Sequence, residues 1–295
     1  MRRGSTIALR RLDLEVPEGG VFGFLGPNGA GKTTTIRCLL GLARPNGGSA
    51  RVLGADVARD LPSVIRRVGS VVETPAFFPH FSGRRNLLLL ARLHGIGPKR
   101  VNAVLERVGL AERAGDIVKT YSLGMKQRLG VGAALLGDAE VLILDEPANG
   151  LDPAGIVEVR GLLRSLGAEG RTVFVSSHIL SEVQQIADRV AILARGECVA
   201  AGPVEEVLSA GRARGVIVQL DDLDAGARAL ADAGLRATVD NEALRVEVAP
   251  SEAATVTRIL ADRGLYLTEL RADEIDLETV FLELTADESK EGLEA

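Results

Sequence analysis

The stretch GPNGAGKTT, Gly26 to Thr34, constrains this chain more than any other. It fits the spacing G-x-x-x-x-G-K-[ST], follows the apolar run VFGFL and opens the run TTTIRCLLGL. A strand, a glycine-rich turn and a helix in that order bring backbone N–H groups and the positive end of a helix dipole to one point. That point suits phosphate. Glycines let the amides turn inward, Lys32 adds a full charge for β- and γ-phosphates, and the Thr33 hydroxyl is placed to ligate Mg2+. Gly26, Pro27, Asn28, Gly29, Ala30, Gly31, Lys32, Thr33 and Thr34 are therefore the expected contacts of a nucleoside triphosphate.

A second stretch, VLILDEP at 141–147, is apolar until it ends in two carboxylates. Charges at the end of a buried parallel strand sit at the carboxyl edge of the sheet, where ligands of such sheets bind. Asp145 is expected to hold Mg2+ through water, and Glu146 to polarise an attacking water as general base.

Short apolar runs alternate with helical patterns through about residue 210. Strands are expected at 12–16, 21–25, 68–72, 141–144, 172–176 and 190–193, and helices at 32–42, 83–93, 123–136, 153–166 and 179–187. Near-continuous apolar strands between helices mean a mostly parallel sheet covered on both faces. After residue 210 the texture changes. Strands at 216–220, 235–239, 244–248 and 265–270, with helices at 224–233 and 251–263, give the order β-α-β-β-α-β of a ferredoxin-like module. An amphipathic segment, DLETVFLELT, and a charged tail follow. The fold class is α/β, a phosphate-loop cassette with a helical subdomain, plus a small α+β ferredoxin-like C-terminal domain. Its expected bounds are 1–210 for the cassette (subdomain about 74–138), 211–285 for the second domain and 286–295 for a disordered tail.

A net charge of −5 argues against non-specific nucleic-acid binding. No stretch approaches the roughly 20 apolar residues of a membrane span. The N-terminus has basic residues but no apolar run, so a cytoplasmic protein is expected. The only cysteines, Cys38 and Cys198, lie far apart in apolar patterns and read as reduced core thiols.

With both stretches in place, the chain resembles the ATP-binding cassette ATPases. Walker A is GPNGAGKTT and Walker B is VLILDE. Between them YSLGMKQRL looks like the signature motif; NGLDP at 149–153 looks like the D-loop, and SSH with His178 like the switch histidine. The resemblance covers about residues 5–210. It implies ATP hydrolysis by two cassettes packed head to tail, each signature helix capping the other's ATP through Ser122 and Gly124. It implies that His178 contacts the γ-phosphate and that Asp152 bridges the subunits. Read alone, Ser122 and Asp152 are also plausible helix N-caps.

Departures from the usual family pattern are informative. Leu123 and Met125 replace a glycine and the glutamine of L-S-G-G-Q. Glu73 stands where a glutamine usually reaches Mg2+, and a carboxylate there can still ligate the metal. Glu73 followed by prolines and aromatics resembles the branch of bacitracin- and lantibiotic-type exporters. The aromatic that usually stacks adenine would fall near Arg3: either the guanidinium stacks instead, or adenine is held loosely, or the chain begins late. Phe77, Phe78 and Phe81 crowd the start of the helical subdomain, where the resemblance implies a groove for a membrane subunit; the alternative is that they pack the subdomain's own core. His80 and His94 show no ligand spacing.

The resemblance thus implies the ATPase subunit of an exporter for a drug, peptide antibiotic or lipid-like cargo. It would work with a second cassette, a separate multi-span permease, ATP and Mg2+, and no nucleic acid, peripherally on the cytoplasmic face of the membrane. The rival is a cassette ATPase acting on DNA or the ribosome. A phosphate-loop kinase or GTPase leaves YSLGMKQRL and NGLDP unexplained.

Overall fold

A computed structural model describes residues 2–3, 6–72, 76–209, 215–240, 242–273, 276–282 and 284. The chain divides into two compact units, Met1–Val204 and Glu205–Ala295. In the first, β1 (Val21–Leu25) leads into α1 (Lys32–Leu39). After β2 (Val68–Val71) come α2 (Gly83–Leu93), α3 (Pro98–Arg107) and α4 (Leu123–Leu135). Then β3 (Val141–Asp145), α5 (Pro153–Ala168), β4 (Thr172–Ser177), α6 (Leu180–Gln184), β5 (Arg189–Ala194) and β6 (Glu197–Pro203) complete the unit.

These strands form one six-stranded sheet in the order β6-β5-β1-β4-β3-β2. All neighbours are parallel except β6, which returns antiparallel to β5. Every residue of β1 and β4 is buried, as expected of strands covered on both faces. One cluster, around Phe22, Phe24, Ile36, Ile143 and Phe174, lies on the α1 side. A second joins the sheet to α2, α3, α4 and α5 through Leu87, Val104, Leu129, Leu142 and Leu163.

The expected strand at 12–16 is not one. Arg11 makes a single parallel bridge to Glu197, and 12–16 run without ladder bonds. Their alternation is real but serves packing, with Leu12, Leu14 and Val16 resting on the Phe22 cluster. The elements α3 and β6 have no counterpart among the expected elements, nor do the paired strands Arg51–Val52 and Ala55–Asp56 and the short helices Leu61–Val64 and Val204–Ser209. The expected helix at 32–42 ends at Leu39, with Leu40 as its C-cap and Gly41 left-handed beyond it (φ 69°).

The helices at 83–135 are tied to the sheet by a charged hub. Asp138 holds a left-handed backbone (φ 55°) just before β3 and pairs with Arg171 at 2.9 Å and Arg100 at 3.1 Å. Arg100 also donates to the carbonyls of Leu135 and Leu136, at the end of α4. The hydrogen bond from Arg171, with smaller help from the charge of Arg100, outweighs desolvation and holds the Asp138 carboxyl below its usual range. Its contribution is therefore present at neutral pH and fades as pH falls through that lowered value. The group is largely exposed, so the pairs are worth at most about 1 kcal/mol.

In the second unit β7 (Val216–Leu220), α8 (Leu223–Asp232), β8 (Ala237–Asp240), β9 (Ala243–Val246), α9 (Ala253–Ala261) and β10 (Leu267–Ala272) follow in turn. The sheet order is β8-β9-β7-β10, antiparallel throughout, which is the ferredoxin-like arrangement. Val216, Val218, Leu244 and Val246 meet Leu230, Val256 and Leu260 of the helices in a core of their own. The segment 277–282 is helical, with Leu277 and Val280 buried. The charged tail at 286–295 lies outside the described residues.

The helix α4 packs directly on β2. A Cβ at Gly69 would sit 2.2 Å from the carbonyl oxygen of Ala134 and 2.9 Å from Leu142 Cδ2. Gly69→Ala should therefore cost about 1–3 kcal/mol in urea or guanidinium denaturation. Gly161→Ala, on the exposed side of α5 with nothing within 4 Å, should be neutral or stabilise by up to about 1 kcal/mol. Equal midpoints for the two variants would contradict the close approach of α4 to the sheet.

Candidate functional site

Parallel registers bring the site together. Leu25 pairs with Ser177, Ser176 with Asp145, and Leu144 with Val71. The chain exits of four strands therefore lie side by side at one edge: the turn after Leu25, His178 after Ser177, Glu146 after Asp145, and the exit after Val71. Glu73, expected at this last exit, lies outside the described residues.

The turn at 26–31 delivers the N-terminus of α1. Gly31 is the N-cap, left-handed at φ 110°, and a Cβ there would stand 2.6 Å from the Ala8 carbonyl. Only glycine fits. Lys32 follows, buried at 6% exposure, and its ammonium donates to the carbonyls of Gly26 at 2.6 Å and Pro27 at 3.3 Å. Its counter-ion is Glu146, with Oε1 3.2 Å away. Thr33 and Thr34, next on the helix, are half-buried.

Glu146 is held from both sides. Its other oxygen, Oε2, lies 2.8 Å from His178 Nδ1 and 3.4 Å from the His178 backbone N–H, which donates to it. Its backbone is left-handed at φ 50°, a conformation that costs a non-glycine residue about 1–3 kcal/mol and gathers at functional sites. The Glu146 N–H donates to both the carbonyl (3.2 Å) and the hydroxyl (3.1 Å) of Ser176, which fixes this turn. Asp145 is 4% exposed, and its Oδ1 accepts from the Ser176 hydroxyl at 2.5 Å.

Ser122, Gly124 and Asp152 form a second locus. Ser122 caps α4 by accepting from Met125 N at 3.2 Å, and Asp152 caps α5 by accepting from Gly155 N at 2.9 Å. A Cβ on Gly124 would lie 3.8 Å from Leu151 and 3.9 Å from Gly155, so the starts of the two helices abut. Among the described residues no hydrogen bond or ion pair joins Ser122 or Gly124 to Lys32, Asp145, Glu146 or His178. Arg128, on α4, faces inward. It donates to the Val108 and Gly109 carbonyls at the end of α3 and pairs with Glu158 of α5 at 3.3 Å.

Two residues with clear roles in this geometry escape sequence reasoning. Asn86 is 3% exposed; it accepts from Phe78 N (2.8 Å) and donates to the carbonyls of Phe78 (3.1 Å) and Ser82 (3.1 Å). It thereby locks the aromatic turn. The Phe81 ring packs on Phe78 at 5.3 Å under the Arg85 guanidinium, Phe78 is 61% exposed, and Phe77 instead packs on the core. The second is Ser176, a polar residue in a fully buried strand. The available signal was its polarity beside TVFV, at the end of a strand that the pattern makes parallel. Of the cysteines, Cys38 is buried and Cys198 half-buried, neither is in a disulfide, and burial raises both thiols above the usual thiol range.

A glycine-cornered turn with a buried lysine, set beside two carboxylates at the carboxyl edge of a parallel sheet, defines an α/β nucleotide-binding cassette. Comparison with known proteins takes this further. A family model described as ABC transporter matches residues 9–149. The bacitracin transport ATP-binding protein BcrA of Enterococcus faecalis is 38% identical over 95% of this chain and 92% of its own length. The daunorubicin resistance ATP-binding protein DrrA3 of Streptomyces coeruleorubidus is 38% identical over 98% of this chain and 94% of its own. Among solved structures, cbiO1 from Clostridium perfringens, described as part of the ABC transporter complex cbiONQ, aligns with a TM-score of 0.63. It is 27% identical and covers 68% of this chain and 84% of its own. The chain belongs to the ABC transporter family, as one of its ATP-binding, ATP-hydrolysing subunits. A kinase or GTPase reading is thereby set aside.

Lys32 tests the site most simply. Lys32→Met removes a charge-assisted donor worth about 1.5–3 kcal/mol, so affinity for a fluorescent ATP analogue should fall by about tenfold or more. Unchanged affinity would make Lys32 a counter-ion of Glu146 and nothing else.

Proposed function

We propose that this chain powers an exporter of a drug, peptide antibiotic or lipid-like cargo, on the cytoplasmic face of the membrane, through a separate permease subunit. The observation that carries the catalytic part is the two-sided hold on Glu146 beside the phosphate loop. Glu146 is the general base. An incoming γ-phosphate takes the place of its Oε1 at the Lys32 ammonium, while His178 keeps hold of Oε2 and sets where the carboxylate meets water. His178 also lies where it can contact the γ-phosphate. The amides of residues 26–34 receive the phosphates, with Thr33 at the first turn of α1.

The residues present fit Mg2+. The candidate donors are hard oxygens, the half-buried Thr33 hydroxyl and the Asp145 carboxylate, whose Oδ2 takes no hydrogen-bond donor among the described residues. One carboxylate, one hydroxyl and substrate phosphates suit a cation that keeps several of its waters. Thr33 and Asp145 would hold it, with Glu73 as a further ligand that the resemblance implies. When bound, Mg2+ would neutralise charge on the β- and γ-phosphates.

The second locus reads as the surface for another cassette. Ser122 and Gly124 would face the other subunit's ATP across a dimer, with the positive end of α4 behind them, and Asp152 would bridge the subunits. Both hydroxyl and carboxylate already cap helices, so the second role adds to the first. The locked aromatic turn, with Phe78 exposed, suits docking of a membrane subunit. Among the described residues no helix is long and apolar enough to cross a membrane. That two relatives carry transport and resistance names favours export over action on DNA or the ribosome.

Glu146→Gln should retain nucleotide binding and lose at least about 10²-fold in the rate of ATP hydrolysis, as removal of a general base demands. Wild-type protein should sediment with membranes only when a multi-span partner is co-expressed. Hydrolysis undiminished in the variant would remove Glu146 from the role of base. Sedimentation independent of any membrane partner would count against the permease.

A further inference from the structure

The two serines before His178 do different work. The Ser177 hydroxyl makes a local turn, accepting from Ile179 N at 3.0 Å. Ser176 sits one position earlier, with no exposure to solvent, directly across the ladder from Asp145. Its single O–H goes to Asp145 Oδ1, and a lone pair receives the N–H of Glu146. One hydroxyl thus joins the two carboxylate residues that end β3. A buried polar group costs stability against an apolar one of the same size. Strand packing alone, among Phe174, Val175 and Val173, would be served by alanine. Hydrogen bonding gives the hydroxyl its place.

The consequences fall on two atoms. A donor on Oδ1 fixes the rotation of a carboxylate that is only 4% exposed, leaving Oδ2 without a hydrogen-bond donor among the described residues. An acceptor for the Glu146 N–H fixes the left-handed turn that lifts the Glu146 side chain between Lys32 and His178. We propose that Ser176 is a positioning residue of the ATPase site, setting Asp145 for the metal and Glu146 for the water through one hydroxyl. This rests on the reading of Asp145 as metal ligand and Glu146 as base.

The test uses the full chain with Ser176→Ala, Ser176→Cys and Ser176→Thr, beside Asp145→Asn. Mn2+ affinity in the presence of ATP, read by electron paramagnetic resonance, is measured with kcat, KM and nucleotide binding in excess EDTA. Residues that orient a metal ligand typically contribute on the order of tenfold or more to metal affinity or activity. Ser176→Ala and Ser176→Cys, a weak donor, should each lose on the order of tenfold in Mn2+ affinity and in kcat. KM and metal-free nucleotide binding should stay unchanged, and Ser176→Thr should recover both losses. If either Ala or Cys, whichever folds, keeps wild-type metal affinity and kcat, the proposal is overturned. It is also overturned if metal-free nucleotide binding falls in parallel, or if Thr recovers neither quantity. Should Asp145→Asn leave Mn2+ affinity intact, the reading of the metal site fails instead, and the two failures are told apart.

Discussion

Neighbouring strands of the large sheet end in step, and the chemistry hangs on that alignment. Parallel pairing of Leu25 with Ser177 and of Asp145 with Ser176 puts the glycine-rich turn, His178 and both carboxylates within reach of one another. A slip of one residue in β3 against β4 would turn Asp145 to the opposite face and separate it from Ser176. The register is guarded by burial: every residue of β1 and β4 is buried, so any slip would expose apolar side chains at one end or bury charged ones at the other.

Within that frame the electrostatics are tightly closed. Burying Lys32 to 6% is costly unless its charge is met, and two carbonyls with one carboxylate meet it. The same carboxylate is bonded to His178, so ammonium, carboxylate and imidazole form one chain of contacts. In the function proposed here, phosphate would bring negative charge to the same ammonium, and exchange of one anion for another at Lys32 would link nucleotide arrival to the freedom of Glu146.

The parts of this arrangement that could be read from sequence are those whose chemistry is local. A glycine turn between strand and helix announces a phosphate site because neighbouring residues make it, and VLILDE announces an edge carboxylate for the same reason. The ferredoxin-like order of the second unit was legible because short alternating runs and amphipathic segments succeed one another without interruption. Residues 12–16 misled because alternation reports which side is buried, and a lone chain resting on a core alternates as a paired strand does. Asn86 and Ser176 were missed because their partners come from a turn and a strand that only the fold brings near. The left-handed turn at Glu146 was equally hidden, since glutamate carries no preference for it.

In the proposed dimer, the ATP site of one cassette is completed by Ser122 and Gly124 of another. The direct measurement is the mass of Glu146→Gln in solution by light scattering, with and without ATP and Mg2+. A shift from monomer to dimer that depends on ATP, and is lost when Ser122 and Gly124 are also replaced, is the predicted result. A protein that binds ATP and keeps the same mass throughout would contradict the shared site.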